Sequence, residues 1–226
     1  MNPMTRLLIA TAAFLATHYV SSTALRDRLI RALGRNGYLL LYSAVAFATL
    51  GSMVWSYYRA PFLGLWQIPA LRYVPLFVMP IAMIFIVCGL FTRNPTLVGA
   101  ERLLRAPEPA RGILRVTRHP LMWGIALWAG SHLLARGDAA SALFFGSMLV
   151  LALTGTVLID RRKRASGGSD WQRFAAATSN VPFAAIMAGA NRFRAAEIGW
   201  SRLLAGLALY GLVLWLHPLL FGARPY

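Results

Sequence analysis

The sequence is poor in acidic residues and has little charge altogether. Of 226 residues, 7 are Asp or Glu and 23 are Lys or Arg, which gives a net charge of +16, and charged residues make up 13% of the chain. The interiors of the apolar runs contain no acid, and Asp160 lies only at the end of one. The sequence therefore gives little support for three kinds of site that need carboxylates: a proton relay, a hydrolytic pair of acids, and a metal site of two histidines and one carboxylate.

Cysteine is nearly absent as well. Cys88, the single cysteine, lies inside an apolar run and is expected to be a small buried residue. One cysteine forms no disulfide within the chain and no thiolate metal cluster, and no Cys-x-x-Cys-His haem attachment occurs. The sequence also lacks a phosphate-binding glycine loop, a nucleophile elbow and a zinc-protease signature. Any haem would therefore be bound non-covalently.

Apolar residues are abundant instead, at 58% of the chain. Six runs approach the roughly 20 residues that span a bilayer. They cover residues 7–24, 38–58, 73–91, 120–135, 140–159 and 203–220. The sequence thus predicts an all-α fold, a polytopic membrane helical bundle of about six transmembrane helices forming one domain over residues 1–226. Its partner is the lipid bilayer, and the basic balance does not indicate nucleic acid.

The positions of the cations predict the orientation. The connectors after the first, third and fifth runs contain 18 Lys and Arg residues, and the remaining segments outside the runs contain 5. Cytoplasmic segments accumulate these residues, so both termini are expected on the outer side. Within the last basic connector, residues 170–175 have an amphipathic pattern that predicts a short, capped helix lying on the membrane.

All four histidines, His18, His119, His132 and His217, lie in or at the ends of apolar runs. Ionisable residues inside a membrane are costly, so a functional role is the first hypothesis for them. His132 shares a helix face with Trp128 close to small Gly130, a setting that suits a haem ligand. The alternative for His132, and equally for His18, is a hydrogen bond between helices. His217, before a proline, is expected at the outer interface.

The motif Arg118-His119-Pro120 is expected at the inner start of the fourth helix, because proline is favoured at a helix start. Arg118 and the positive helix end could attract an anionic group, and the alternative is an interfacial cap. His119 and His132 are 13 residues apart, so they point some 140° apart around one helix. They cannot both bind one small ion.

Several stretches together resemble the NnrU family of bacterial membrane proteins over nearly the whole chain. They are Thr17-His18, Ala24-Leu25-Arg26, Leu65-Trp66, Thr117 to Gly124, Leu127-Trp128, Ser131-His132-Leu133, Ile159 to Arg162 and Ala177 to Phe183. The resemblance implies a multi-pass protein of the bacterial inner membrane, and with the distribution of cations both termini are then expected in the periplasm. It also implies an association with nitrite and nitric oxide metabolism during denitrification.

The sequence is also similar to the 15-cis-zeta-carotene isomerases, which use haem b. That resemblance implies haem ligands at His18 and His132, with Arg118 and His119 near the cofactor. Ala129 stands where the isomerases have a cysteine that can serve as an alternative ligand. The depths of His18 and His132 in the bilayer are expected to differ by about 10–15 Å. The pair therefore needs a tilted haem, and His18 with His119 is the shallower alternative.

Two other functions remain open. Arg118-His119-Pro120, with Gly124 and the later Trp171 and Asn180-Val181-Pro182, is similar to membrane methyltransferases that use S-adenosylmethionine. Their acidic pair is represented here by Asp160 alone, followed by four cations, which suits a sulfonium poorly. The third possibility is a non-catalytic haem sensor or accessory protein. A hydrophobic molecule and a small gas suit the surroundings of His132 equally well.

Overall fold

The computed structural model describes residues 1–97, 99–223 and 225, and nine α-helices occur within them. In chain order these are α1 (Pro3–Val20), α2 (Ala24–Arg59), α3 (Val74–Phe91), α4 (Pro120–Arg136), α5 (Ala139–Ser166), α6 (Gly168–Ala176), α7 (Ala184–Met187), α8 (Ala195–Ile198) and α9 (Trp200–Phe221). Three 3-10 turns cover Pro69–Tyr73, Glu101–Arg105 and Gly112–Arg115. The all-α prediction is confirmed.

Six of the helices, α1 to α5 and α9, coincide with the six apolar runs of the sequence. Within the described residues, four helical segments are long and apolar enough to cross a membrane. They are Ala24–Arg59, Pro69–Phe91, Ala139–Ser166 and Trp200–Phe221. The chain is therefore a multi-pass membrane protein whose long apolar helices contact lipid.

The second helix begins earlier than the sequence predicts. The basic stretch expected as a connector is helical and joins the apolar segment across a break at Gly34, where φ is 70° and ψ is 167°. Residues with a Cβ atom rarely adopt this backbone conformation, so a glycine is needed there. The result is a basic helical arm, with Arg26, Arg28 and Arg31, that precedes the membrane segment of α2.

The backbones of α3 and α4 nearly touch. A Cβ atom at Gly89 would lie 2.5 Å from the backbone nitrogen of Leu121, and one at Gly124 would lie 2.9 Å from the carbonyl oxygen of Ala82. Small residues at a helix interface allow this approach. Gly206 of α9 meets the backbone of α3 in the same way, while α5 packs along α4 and α1.

The connector between α2 and α3 is fixed to the turn between α4 and α5. The backbone N–H groups of Leu65 and Trp66 both donate to the carbonyl oxygen of Gly137, at 2.8 and 3.1 Å. The indole N–H of Trp66 donates to the carbonyl oxygen of Leu134 at 3.1 Å. This connector therefore lies across the C-terminal end of α4.

Residues 94–118 and 167–199 fold together into what we call the inner cap. Its buried apolar side chains form one cluster with the end of α3: Phe85, Cys88, Leu104, Ala110, Ile113, Leu114, Val116, Trp171, Phe174 and Ile198. The amphipathic helix predicted to lie on the membrane is α6, and its apolar residues Trp171 and Phe174 pack into this cluster instead. The predicted side-chain cap is also wrong, because Gly167 occupies the N-cap position.

Candidate functional site

The motif Arg118-His119-Pro120 lies where the inner cap meets α4. Pro120 is the first residue of α4, and His119 precedes it as the N-cap, with φ −123° and ψ 53°. Proline suits this position because it lacks an N–H that would need a partner and because its φ is already helical. Its ring also disfavours helical geometry in the residue before it. The motif therefore fixes where α4 begins.

Arg118 and His119 both contact the carboxylate of Asp160, near the inner end of α5. The Nε2 atom of His119 lies 2.7 Å from Oδ1 of Asp160, and Nε of Arg118 donates to both carboxylate oxygens at 3.1 and 3.0 Å. The His119 side chain is 1% exposed, and those of Arg118 and Asp160 are each 11% exposed. We call these three residues the inner cluster.

Arg118 also connects the inner cluster to the inner cap. Its Nη1 donates to the carbonyl oxygen and hydroxyl of Thr178, at 2.7 and 3.1 Å. Its backbone N–H donates to the carbonyl oxygen of Ser179, and its carbonyl oxygen accepts from Asn94. The guanidinium lies 5.8 Å from the ring centroid of Trp171. Through its backbone and its side chain together, Arg118 thus joins the start of α4, the end of α5 and both segments of the cap.

Asn180 holds the same region from another side. Its carbonyl oxygen accepts from the hydroxyl of Thr117 at 2.5 Å and from the indole N–H of Trp123 at 2.8 Å. Its Nδ2 donates to the hydroxyl of Thr156 on α5 at 2.8 Å. Asn180 therefore fixes α4 and α5 relative to each other beside the inner cluster.

The charges in the inner cluster constrain its chemistry. Asp160 lies against a guanidinium and is ionised, so it only accepts, and the hydrogen between it and His119 belongs to Nε2. Asp160 is already engaged by two partners, and the cluster holds three segments together around a buried ion pair. Breaking such a pair from one side is strongly unfavourable.

The two histidines within the bundle share one arrangement. Nδ1 of His18 lies 2.8 Å from the carbonyl oxygen of Phe14, and Nδ1 of His132 lies 2.9 Å from that of Trp128. A carbonyl oxygen only accepts, so each Nδ1 carries a hydrogen, and in the neutral ring Nε2 is then the nitrogen with the lone pair. Metal-binding histidines show this same division of roles between their two nitrogens.

Aromatic rings surround both imidazoles, which are half-buried. The ring of His132 stacks on Phe145 with centroids 5.3 Å apart and lies 5.9 Å from Trp128. The ring of His18 lies 4.3 Å from Phe14 and 6.0 Å from Tyr42. Aromatic side chains beside an imidazole are also a setting in which haem ligands occur.

The structure places His18 and His132 at different levels of the bundle. Tyr19, beside His18, shares a 2.7 Å hydrogen bond with Thr154 of α5, whereas His132 stacks on Phe145 of the same helix. Nine residues separate Thr154 from Phe145, a rise of about 13 Å. This difference in level is close to the roughly 10–15 Å expected from the sequence.

The other two histidines have different surroundings. Nε2 of His119 is taken by Asp160, so the alternative pairing of His18 with His119 lacks that nitrogen. His217 lies near the end of α9, with Nδ1 2.7 Å from the carbonyl oxygen of Ala223 and its ring 4.8 Å from Phe221. His217 thus shares the Nδ1–carbonyl bond of the two histidines within the bundle and differs from them in its position near the end of α9.

A second buried ion pair lies in the inner cap. Arg115, which is 6% exposed, donates through Nε and Nη2 to the two carboxylate oxygens of Glu197 at 2.8 and 3.1 Å. It also donates to Glu108 at 2.5 Å. The hydrogen bonds from Arg115 and from the backbone N–H of Gly112 lower the pKa of Glu197 to about 2, from an ordinary 4.5. The pKa of Arg115 is raised, mainly by its hydrogen bonds to Glu197.

Sequence reasoning missed Asp160 and Glu197 as partners of the arginines. Asp160 lies 41 residues from His119, and Glu197 lies 82 residues from Arg115. No helical or strand period links residues so far apart. The composition did contain a signal for Asp160. The chain has only 7 acids, and Asp160 directly follows an apolar run, so it was a candidate partner for Arg118 of the motif.

These features define a class, an all-α multi-pass membrane protein with a buried arginine–histidine–aspartate cluster at one end of its bundle and two histidines within it. The family model described as NnrU protein matches residues 6–225. The chain belongs to the NnrU family.

The chain is also distantly related to two plant enzymes. It is 37% identical over 78 residues to 15-cis-zeta-carotene isomerase, chloroplastic, of Arabidopsis thaliana, which covers 34% of this chain and 21% of that protein. It is 33% identical over 81 residues to the enzyme of the same name from Zea mays, covering 36% and 22%. The chain thus matches about a fifth of the length of these relatives. No solved structure matches it.

Proposed function

We propose that this protein is a haem b-binding protein of the bacterial inner membrane, one membrane domain that acts on a hydrophobic small molecule or a small gas. The observation that carries the proposal is the shared arrangement of His18 and His132, each with Nδ1 bonded to a helix carbonyl and Nε2 available among aromatic rings. The relationship to the carotene isomerases supports it. The link to nitrite and nitric oxide metabolism follows from the resemblance to the family.

In this proposal Nε2 of His132 and Nε2 of His18 would hold the haem iron. A bound haem would supply a redox-active iron centre that the apolar helices themselves lack. The chain supplies the imidazole, the flat walls of Phe145 and Trp128 at His132, and an apolar setting that excludes water. The carbonyl bonded to Nδ1 orients each ring and increases the basicity of its Nε2.

The inner cluster acts as a positioning element. Arg118 and His119, expected beside a cofactor, are instead engaged by Asp160 at the first turn of α4. His132 lies on the same helix, so the cluster determines how deep in the membrane His132 lies and which way it faces. This places Arg118 and His119 in a supporting role for the ligand.

The proposed topology has six crossings with both termini in the periplasm. The inner cap contains most of the cations that distinguish the two sides of the sequence, and the positive-inside rule places it in the cytoplasm. The short helices α1 and α4 complete the six crossings together with the four long segments.

An absorption spectrum tests the proposal. The full chain, purified in mild detergent with haem supplied, should show the Soret band of ligated haem. We expect His132→Ala and His18→Ala to lose absorbance in proportion to the haem each holds, while His217→Ala retains the full band. A colourless protein, or equal bands in all three variants, would contradict the proposal.

The same preparation distinguishes the other functions. Binding of S-adenosylmethionine by a colourless protein would favour a methyltransferase, although Asp160, the acid available for the sulfonium, is already paired with Arg118. Binding of neither cofactor would favour a non-catalytic accessory protein. A haem-loaded protein that alters no polyene and binds nitric oxide would favour a sensor.

A further inference from the structure

The start of α1 and the end of α2 enclose a cavity that the proposed function does not use. Its volume is about 300 Å³, and it is lined by Pro3 and Arg6 of α1 and by Trp55, Ser56 and Arg59 of α2. This volume is at the lower end of the range of small-molecule sites. Ser56 is buried, whereas the two arginines and Trp55 are exposed, so a ligand can reach their side chains.

The two arginines of this cavity lack a counter-charge. Neither Arg6 nor Arg59 pairs with a carboxylate that the structure describes, because those carboxylates pair with other arginines. The two residues are far apart in the sequence, and the fold brings both to the wall of one cavity. Like charges brought together repel each other. A bound anion would offset this repulsion.

The position of Arg6 adds to the positive potential of the cavity. Arg6 lies in the first turn of α1, which begins at Pro3 and has no acidic residue in that turn. The N-terminal end of a helix carries a partial positive charge, so a cation is unfavourable there and an anion is favourable. The wall of the cavity thus combines two guanidinium groups with a helix N-terminus, and all three favour an anion.

Trp55 holds Arg59 in place. The guanidinium carbon of Arg59 lies over the indole ring of Trp55, 4.4 Å from its centroid. Such a contact uses the face of the guanidinium and leaves the N–H donors along its edge free for a ligand. Guanidinium groups bind phosphate oxygens through paired N–H donors. Because the stacked side chain is already oriented, less entropy is lost when a ligand binds.

The surroundings of the cavity suit a lipid. Trp55 and Tyr58 are 47% and 59% exposed, and aromatic side chains of this kind collect where a membrane meets water. On α1, Leu8 and Ile9 follow Arg6 closely and are 54% and 53% exposed, so they offer an apolar surface to acyl chains. The two arginines therefore lie at the level where a phospholipid places its phosphate.

We propose that this cavity, the arginine site, binds the phosphate of a membrane phospholipid. Arg6 and Arg59 contact the phosphate oxygens, and the acyl chains lie against Leu8 and Ile9. The recognised group is a phosphodiester, which a phospholipid carries in the membrane and a glycerophosphodiester carries in solution. No acidic residue is among the described residues that line the site, so the headgroup beyond the phosphate is not selected. The lining contains no histidine either, so the site stands independently of haem binding.

Titration of the purified full chain in mild detergent tests the arginine site. Short-chain phosphatidylcholine is compared with a galactosyl diacylglycerol of the same chain length. Both lipids have a net charge of zero, so the comparison isolates the phosphate. We expect phosphatidylcholine to bind about tenfold more tightly, because hydrogen bonds between charged groups are stronger than those to a sugar hydroxyl. Equal affinities of the two lipids would overturn the proposal.

Glycerophosphocholine distinguishes the two sources of the phosphodiester, because it is the headgroup of phosphatidylcholine without the acyl chains. Binding as tight as that of phosphatidylcholine would assign a soluble phosphodiester to the arginine site. Much weaker binding would assign a lipid, since the acyl chains then contribute to the affinity through Leu8 and Ile9.

Two variants and a matched control complete the test. Arg6→Gln and Arg59→Gln should each weaken the binding of phosphatidylcholine about tenfold, since each removes a charged donor. Both side chains are exposed, so the variants should keep the unfolding temperature of the wild type. Arg72→Gln changes the net charge equally at an exposed arginine outside the cavity and should leave binding unchanged. Equal affinities of the three variants would contradict the assignment of the site.

Discussion

His119 and Asp160 face each other across the α4–α5 hairpin, with Nε2 of His119 2.7 Å from Oδ1 of Asp160. The other end of this hairpin is the turn at Gly137. The connector between α2 and α3 is hydrogen-bonded to this turn through Leu65 and Trp66. The two antiparallel helices are therefore fixed relative to each other at both ends. Sliding of α4 along α5 would break a buried ion pair, so the depth of His132 is set by residues well over a helical turn away.

Asp160→Asn is expected to destabilise the protein by about 3 kcal/mol, because it leaves the buried Arg118 guanidinium without a counter-charge. The free energy of unfolding in detergent measures the effect. Asp170→Asn is the control, since that side chain is 41% exposed and pairs with exposed arginines, and it should cost less than about 1 kcal/mol. Equal losses in the two variants would show that the inner cluster contributes no special stability.

The pH dependence of the free energy of unfolding should show the contribution of the ionised Glu197 carboxylate. Its pKa is about 2 in the folded chain against an ordinary 4.5, so its stabilising contribution is full above pH 4.5 and is lost as the pH falls toward 2. Over this window the wild type should lose on the order of 2 kcal/mol more than Glu197→Gln. Unfolding at stepped pH values measures the difference. Glu108→Gln, at a carboxylate that is 50% exposed, should follow the wild type.

Gly89→Ala should be strongly destabilising, because its Cβ would lie 2.5 Å from the backbone nitrogen of Leu121. Overpacking of this kind costs roughly 1–3 kcal/mol. Gly146→Ala in α5 is the matched control: its Cβ meets nothing within 4 Å, and alanine should stabilise the helix by up to about 1 kcal/mol. Unfolding temperatures in detergent compare the two. Similar temperatures would show that α3 and α4 can separate without loss.

We expect the C-terminus to lie in the periplasm, so alkaline phosphatase fused there should be active. We expect the position between Ser166 and Gly167 to lie in the cytoplasm, so green fluorescent protein inserted there should fluoresce. The reason is the division of cations, 18 against 5, between the two sides. Alkaline phosphatase and green fluorescent protein fusions at both positions measure it. A cytoplasmic signal at the C-terminus would rule out six crossings with an outer N-terminus.

The helices of the bundle were predictable because burial in lipid imposes a local pattern. A run such as residues 73–91 must be apolar and about 20 residues long, and both properties are visible in the sequence. The break at Gly34 was missed because glycine also occurs within regular helices, as Gly146 does here. The presence of a glycine in the sequence therefore does not show whether its backbone is helical, as at Gly146, or breaks the helix, as at Gly34.

The contacts of the site were less predictable. Arg118 was singled out correctly as a motif residue, yet its partner Asp160 depends on how two helices and a cap fold together. Arg115, three residues before Arg118 in the chain, is not a neutral comparison for it, because Arg115 is buried in an ion pair of its own with Glu197. Exposed Arg111 is a better comparison, since its side chain is 69% exposed.

The connector between α2 and α3 limits the directions from which a small molecule can approach His132. Leu65 and Trp66 lie over the end of α4 one turn beyond His132, so protein covers the approach to His132 along that helix from its C-terminal end. On the other side the inner cap covers the start of α4. Under the proposed function, the half-buried imidazole of His132 would be reached sideways, between helices, by molecules already dissolved in the bilayer. Turnover of such a molecule would follow its mole fraction in the lipid and not its concentration in water.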